Sequence, residues 1–375
     1  MTPQEFRSSY LELKPYVHKG ALKQLTTQWA ELDSLLYSVP PDDGVQLFNN
    51  GLVPPQSYMD ELIEVGRPRR RLNKQRFYGA MHAGATLVLN RIEGYSLPAK
   101  RLCAEVGRFA GCQTTSNAYV SFGGKGTFGK HWDTHDVFAI QLIGKKRWQV
   151  FAPTLPLPVS HQTSEALRHT CPVKPALECD LEAGDMLYIP RGWWHQVTPF
   201  DMGSWHLSVG AYLPTVTDYI MWVAKQYLPS QLPARGGLID DATTLSSLPA
   251  LVKGLSDALQ DQRTLNEFKR DLQSRERLIT EFDTKLFLDK AQATFDNDTR
   301  LGLTSSYAIG DQVNEIAVNG SRLKLEPVSR AIVTLLDQSG SLTFGELCAR
   351  MPQVQASMLR AAVMNLASHE VLSIG

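Results

Sequence analysis

Between Thr115 and Tyr212 the chain is a succession of short apolar stretches broken by turn residues, which predicts strands. Gly184-Asp185 reads as a turn, Met186 to Ile189 as a buried strand, and Pro190-Arg191-Gly192 as a second turn just before His195. Pro214 closes this region. Ahead of it, residues 1 to about 115 read as a helical and loop-rich lead-in. That stretch contains an amphipathic helix over Ala21 to Tyr37, a strand at Leu87 to Asn90, and a helix from Pro98 to Phe109 carrying Leu102, Val106 and Phe109.

After Pro214 the spacing becomes helical. Val216 to Tyr227, then Leu251, Leu255 and Leu259, then Leu265, Phe268, Leu272 and Ile279 place apolar residues three and four apart, while Leu228 to Leu248 reads as a loop. Such stripes need a partner, either a second copy of the chain or the strand-rich region itself. The last stretch has Ile316 to Val318 and Leu323 to Leu325 around Asn319-Gly320, a hairpin signal. Helices over Val328 to Asp337, Phe344 to Arg350 and Gln355 to Ser368, and a strand at Val371 to Ile374, complete a winged-helix-like order. The expected fold class is α+β: a jelly-roll domain with its lead-in over residues 1–214, a helical segment over 215–300 and a winged-helix-like domain over 301–375.

Composition narrows the function. Lys plus Arg and Asp plus Glu both number 38, so global charge offers no case for nucleic acid or anionic membrane. Residues 301–375 carry five basic against six acidic side chains, too little for the phosphate contacts of a DNA reader. Cysteines 103, 112, 171, 179 and 348 form no Cys-x-x-Cys pair, which argues against a disulfide framework and a structural zinc site. The opening residues lack a signal-peptide core and no run reaches membrane-spanning length. Cytoplasm is the expected location. Against this neutral background, residues 67–76 concentrate six positive charges, either a solvated face or a contact for an acidic or RNA-bound partner.

The chemistry sits in His131-Trp132-Asp133 and in His195, 62 residues after Asp133. Alternation along a strand puts His131 and Asp133 on one face, about 7 Å apart, and a His from a distant strand completes a three-sided site. Two imidazoles and a carboxylate on one side of an octahedral ion leave three positions open, as in non-haem Fe(II) oxygenases. His135 keeps the parity of the pair but lies beyond the metal, as a pocket or surface residue.

These residues resemble the cupin-like JmjC oxygenases that use Fe(II) and 2-oxoglutarate, and among them the ribosomal oxygenases. The resemblance rests on Asn117-Ala118-Tyr119, His131-x-Asp133, Asp136 through Trp148, and Gly184-Asp185 through His195, covering roughly residues 80 to 215. It implies a double-stranded β-helix core, His131, Asp133 and His195 as iron ligands, and Fe(II), 2-oxoglutarate and O2 as cofactor and co-substrates. Lys146, 13 residues after Asp133, matches the lysine that binds the distal carboxylate of 2-oxoglutarate; Lys145 and Arg147 point the other way on a regular strand. Asn117 and Tyr119 match positions lining the co-substrate or substrate pocket, although core packing suits Tyr119 equally. His206 and Ser208 share a parity on a late strand, as co-substrate contacts or, for His206, as a core histidine. The implied reaction is hydroxylation of an Arg or His side chain of a ribosomal protein by a homodimer. The resemblance also implies that the helical segment 215–300 is a dimerisation segment. N-methyl-lysine demethylation, a non-catalytic binding module and a small-molecule cupin enzyme such as an isomerase are the alternatives.

Overall fold

A computed structural model describes residues 1–23, 26–123, 126, 128–200, 202–238, 240–276, 280–282, 295–307, 309 and 314–375. It divides into two compact units, Met1–Leu213 and Pro214–Gly375. The helical segment and the C-terminal piece, expected as separate domains, fall within the second unit.

The first unit is built on a seven-stranded antiparallel sheet. Its strands are β1 (Tyr16–His18), β2 (Val45–Phe48), β5 (Thr86–Leu89), β6 (Gln113–Ser121), β7 (Asp136–Ile143), β10 (Met186–Ile189) and β12 (Ser204–Tyr212), in the order β1-β10-β7-β12-β6-β5-β2. A smaller sheet has the order β11-β8-β9, from β8 (Lys145–Phe151), β9 (Leu177–Glu182) and β11 (Trp194–Pro199). β7 explains its own apolar run. Val137 and Ala139 face one way and join Trp148 and Val150 of β8 and Leu181 of β9 in a core between the sheets. Phe138, Ile140 and Leu142 face the other way, into a core that also takes Phe6 and residues of the Leu97–Ala110 helix. A strand covered on both faces has no reason to alternate with polar residues.

The lead-in differs from expectation. It supplies β1, β2 and β5 to the main sheet, and β3 (Met59–Glu64) pairs with β4 (Arg67–Leu72) in a hairpin. The basic run is therefore a strand and the start of the Lys74–His82 helix, and several of its charges meet acids within the chain. Arg70 binds Glu61 at 2.9 Å and approaches Asp42 at 3.6 Å, and Arg71 and Arg76 both reach Asp60. The expected Ala21–Tyr37 helix begins only at Trp29, where Gln28 and Glu31 close a capping box.

In the second unit the Val216–Tyr227 helix lies where predicted. The expected loop over Leu228 to Leu248 ends early, because Asp240 caps a helix over Asp241–Gln260 by accepting from the Thr243 N–H at 2.8 Å. The Gln262–Arg275 helix follows, and Ile279 of the predicted stripe lies outside the described residues. Phe268 is buried within this unit, its ring 5.2 Å from Tyr219 and 5.6 Å from Trp222. The 265–272 stripe is thus filled at Phe268 by the chain's own helices rather than left for a partner. Farther on, the hairpin β14 (Glu315–Val318) and β15 (Ser321–Lys324) and helices Pro327–Ser339, Phe344–Arg350 and Ala356–Ser368 follow the expected order. The sequence reading missed β13 (Arg300–Leu303), the central strand between β16 (Ser341–Thr343) and β17 (Leu372–Ile374).

Candidate metal centre

His131, Asp133 and His195 converge, with one ligand atom from each lying within 4.8 Å of the others. The route differs from the sequence expectation in one respect: residues 131–133 are not a strand. His131 makes a single bridge to His195, with the His195 N–H donating to the His131 carbonyl at 2.8 Å and the reverse bond at 3.1 Å. Side chains still alternate, because Trp132 is buried among Phe151 and Trp194 and leaves its two neighbours on the opposite side. The Asp133 carbonyl accepts from the Gly192 N–H at 3.0 Å. That glycine has φ 82°, and a Cβ there would lie 2.7 Å from the Leu155 oxygen.

Both imidazoles are oriented for ligation. His131 Nδ1 lies 3.1 Å from the Gly129 oxygen and His195 Nδ1 lies 3.2 Å from the Trp193 oxygen. A carbonyl only accepts, so each neutral ring carries its proton on Nδ1 and presents a bare Nε2. Burial first, then His131, pushes the His195 imidazole down, so its 3.5 Å approach to Asp133 is two metal-ready ligands rather than an ion pair. The Asp133 carboxyl lies below the usual carboxylate range although burial acts to raise it, with His195, His131 and His135 around it.

The triad lines a cavity of about 250 Å³. At one end is Lys146, 2% exposed, whose Nζ donates to the Tyr119 carbonyl at 3.0 Å and lies 2.9 Å from His206 Nδ1. Burial pushes its ammonium down to about 7, and burial together with Lys146 pushes His206 well below the usual imidazole range. Among the described residues no carboxylate pairs with Lys146. Lys145 and Arg147 point outward, each bound to Asp180. Tyr119 stacks on His206 at 5.1 Å, and its hydroxyl is pushed up to about 12 by burial and then by Asp133. Asn117 lines the same cavity and accepts from the Arg91 N–H at 3.0 Å. Ser208 of β12 pairs in register with Asn117 and also lines the cavity.

The other end is more open. Tyr212, 45% exposed, stacks on His135 at 4.8 Å, and Thr115 Oγ1 reaches its hydroxyl at 3.4 Å. Gly210 makes room for that imidazole, since a Cβ would lie 2.8 Å from His135 Cδ2. Sequence reasoning missed Tyr212, Phe128 and Trp148 as lining residues, because aromatics in strand patterns carry the same signal in a core as in a cavity wall.

The donor set fits Fe(II), which accepts two imidazoles and a carboxylate on one face. The buried Lys146 fits a carboxylate at cavity depth.

A family model for the JmjC domain matches residues 91–219. The bifunctional lysine-specific demethylase and histidyl-hydroxylase NO66 of Drosophila persimilis is 31% identical over 188 residues, 48% of this chain and 27% of that protein. Ribosomal oxygenase 2 of Mus musculus is 28% identical over 204 residues, 50% of this chain and 43% of that protein. The chain thus spans less than half the length of these curated relatives. Among solved structures, the Escherichia coli ribosomal oxygenase YcfD in complex with cobalt and 2-oxoglutarate superposes with a TM-score of 0.59 at 18% identity, covering 100% of this chain and 98% of that one. This agreement extends the shared fold beyond the matched segment. The first unit has the JmjC/cupin fold, residues 91–219 match the JmjC domain, and the chain is similar in sequence to an NO66 protein and a ribosomal oxygenase over about half of its length.

Proposed function

We propose that the chain is an Fe(II)- and 2-oxoglutarate-dependent oxygenase that hydroxylates a protein or peptide side chain, an Arg or His of a ribosomal protein. The observation that carries this reading is a single cavity in which a tautomer-locked His131, Asp133, His195 triad faces a buried lysine with no acidic partner among the described residues. His131, Asp133 and His195 would hold the iron, and Lys146 would pair with the distal carboxylate of 2-oxoglutarate. Asn117, Tyr119 and Ser208 would flank the co-substrate. Iron with 2-oxoglutarate and O2 would supply oxidation of a C–H bond coupled to formation of succinate and CO2. The protein's own share is orientation and exclusion of water: Tyr119, His206 and Trp148 wall the inner end, while His135, Thr115 and Tyr212 leave the outer end open to a side chain.

The names of the relatives support the ribosomal client and keep a second reading, N-methyl-lysine demethylation, which releases formaldehyde. A non-catalytic binding module suits the intact triad and Lys146 less well. Five free cysteines suit the cytoplasm. For the second unit we read residues 215–300 as a self-association segment and residues 301–375 as a winged-helix-like protein-binding module. Ile220, Met221, Leu245, Leu248 and Val252 are exposed there. Mass spectrometry of ribosomal proteins from cells with and without the chain tests the main reading. A gain of one oxygen on a His or Arg that depends on Asp133 is expected, and formaldehyde release without that gain would overturn it.

A further inference from the structure

Asp136, the first residue of β7, is fully buried three residues beyond Asp133. One carboxylate oxygen accepts from the Tyr188 hydroxyl at 2.6 Å and the other from the Arg191 N–H at 2.9 Å. Neither donor belongs to the metal site, yet both lead toward it. Arg191 sits in the 190–193 turn, where the next N–H, of Gly192, holds the Asp133 carbonyl and the next carbonyl, of Trp193, faces His195 Nδ1. The turn is also anchored on its far side. The Arg191 guanidinium binds Glu12 at 2.6 and 2.7 Å and the Pro158 carbonyl at 3.2 Å, and the Tyr188 hydroxyl accepts from the Glu12 N–H at 2.8 Å. Glu12 therefore meets the network through both backbone and side chain.

Such an arrangement is not needed for burial alone. An apolar residue at position 136 would continue the run of β7, whereas burial pushes this carboxyl up to about 6, a sign that ionising it in place is unfavourable. A buried carboxylate that satisfies two donors fixes the distance between the strand that follows Asp133 and the turn that precedes His195.

We propose that Asp136 is a positioning residue for the metal centre: with Tyr188 and Arg191 it ties the 190–193 turn to Glu12, so that docking of the N-terminal segment and metal occupancy stabilise each other. The inference rests on the metal reading above. Linkage makes the effect reciprocal, because whatever holds the turn in its ligating position strengthens metal binding, and bound metal holds the turn.

The test uses the full chain and Co(II) alone, titrated by its visible absorption. Asp136→Asn should weaken Co(II) binding by about tenfold or more and change the band intensity that reports coordination geometry. Tyr188→Phe and Glu12→Gln, which leave the cavity lining untouched, should weaken it by smaller factors. Hydrogen exchange should slow at residues 11–13 and 191–192 when Co(II) binds to the wild type. A Co(II) affinity and spectrum unchanged in all three variants, with only the melting temperature lowered, would overturn the proposal and leave the network a purely structural one. Should Asp136→Asn not fold, Glu12→Gln decides. Wild-type protein that binds no Co(II) would overturn the metal reading itself, and this inference with it.

Discussion

Lys146 Nζ lies 2.9 Å from His206 Nδ1, two basic groups sharing one proton site at the inner end of the cavity. His206 is held neutral and serves as acceptor, while burial lowers the Lys146 ammonium to about 7. The sign follows from the direction of that shift. With a folded-state value below the ordinary 10.5, the stability associated with the neutral amine is present above that ordinary value and is lost as pH falls through about 7. A dicarboxylate entering the cavity reverses the balance, because it stabilises the ammonium. Binding of 2-oxoglutarate at about pH 8 should therefore take up close to one proton, seen calorimetrically in buffers of different ionisation enthalpy. Lys146→Met should remove the uptake and weaken 2-oxoglutarate binding with little effect on metal affinity; uptake that persists would place the anion elsewhere. Arg147 is not an alternative, since it points away from the cavity toward Asp180.

The triad itself predicts metal stoichiometry. Purified protein should bind one Fe(II) or Co(II) per chain, and His131→Ala, Asp133→Ala and His195→Ala should each abolish stoichiometric retention, because two remaining ligands hold a labile divalent ion poorly. Metal analysis after gel filtration reads this directly. Full retention by all three variants would refute the site.

The metal ligands were legible in the sequence because their chemistry is carried by rare residue types at fixed separations. Lys146 was singled out by the family resemblance, and parity set Lys145 and Arg147 apart as its outward neighbours. The helix over Val216 to Tyr227 was legible because its apolar positions keep a single period to their end. What escaped had its signal masked. The β3–β4 hairpin was hidden by four arginines in six residues, whose partners Asp60 and Glu61 lie on a different strand. Pairing between strands is long-range information that local charge does not carry. Asp136 escaped for a related reason, since an acid at the start of an apolar run reads as a turn residue until Tyr188 and Arg191 are seen to donate to it.

The stripe Leu265, Phe268, Leu272 makes a different prediction from the one its spacing alone suggested. Phe268 is 6% exposed and packed on Tyr219 and Trp222, so Phe268→Ala should destabilise the second unit by about 3–5 kcal/mol, the usual loss for a large buried aromatic. Denaturant unfolding followed by tryptophan fluorescence measures it. A variant that is monomeric yet as stable as the wild type would show that the stripe belongs to an interface after all.

Self-association, if it uses this unit, must then use the side chains that remain outside. Val252 and Leu245 are 62% and 63% exposed on the Asp241–Gln260 helix, and Met221 is 52% exposed on the Val216–Tyr227 helix. In a two-fold dimer each substitution enters twice, and burying such a side chain contributes on the order of 1.5–3 kcal/mol. One Val252→Glu change should therefore raise the dimer dissociation constant by about a hundredfold or more while leaving unfolding free energy per chain nearly unchanged. Light scattering across micromolar concentrations distinguishes the cases. Wild-type protein that is monomeric throughout that range would remove the self-association reading, and would leave those apolar residues without a role in pairing two copies of the chain.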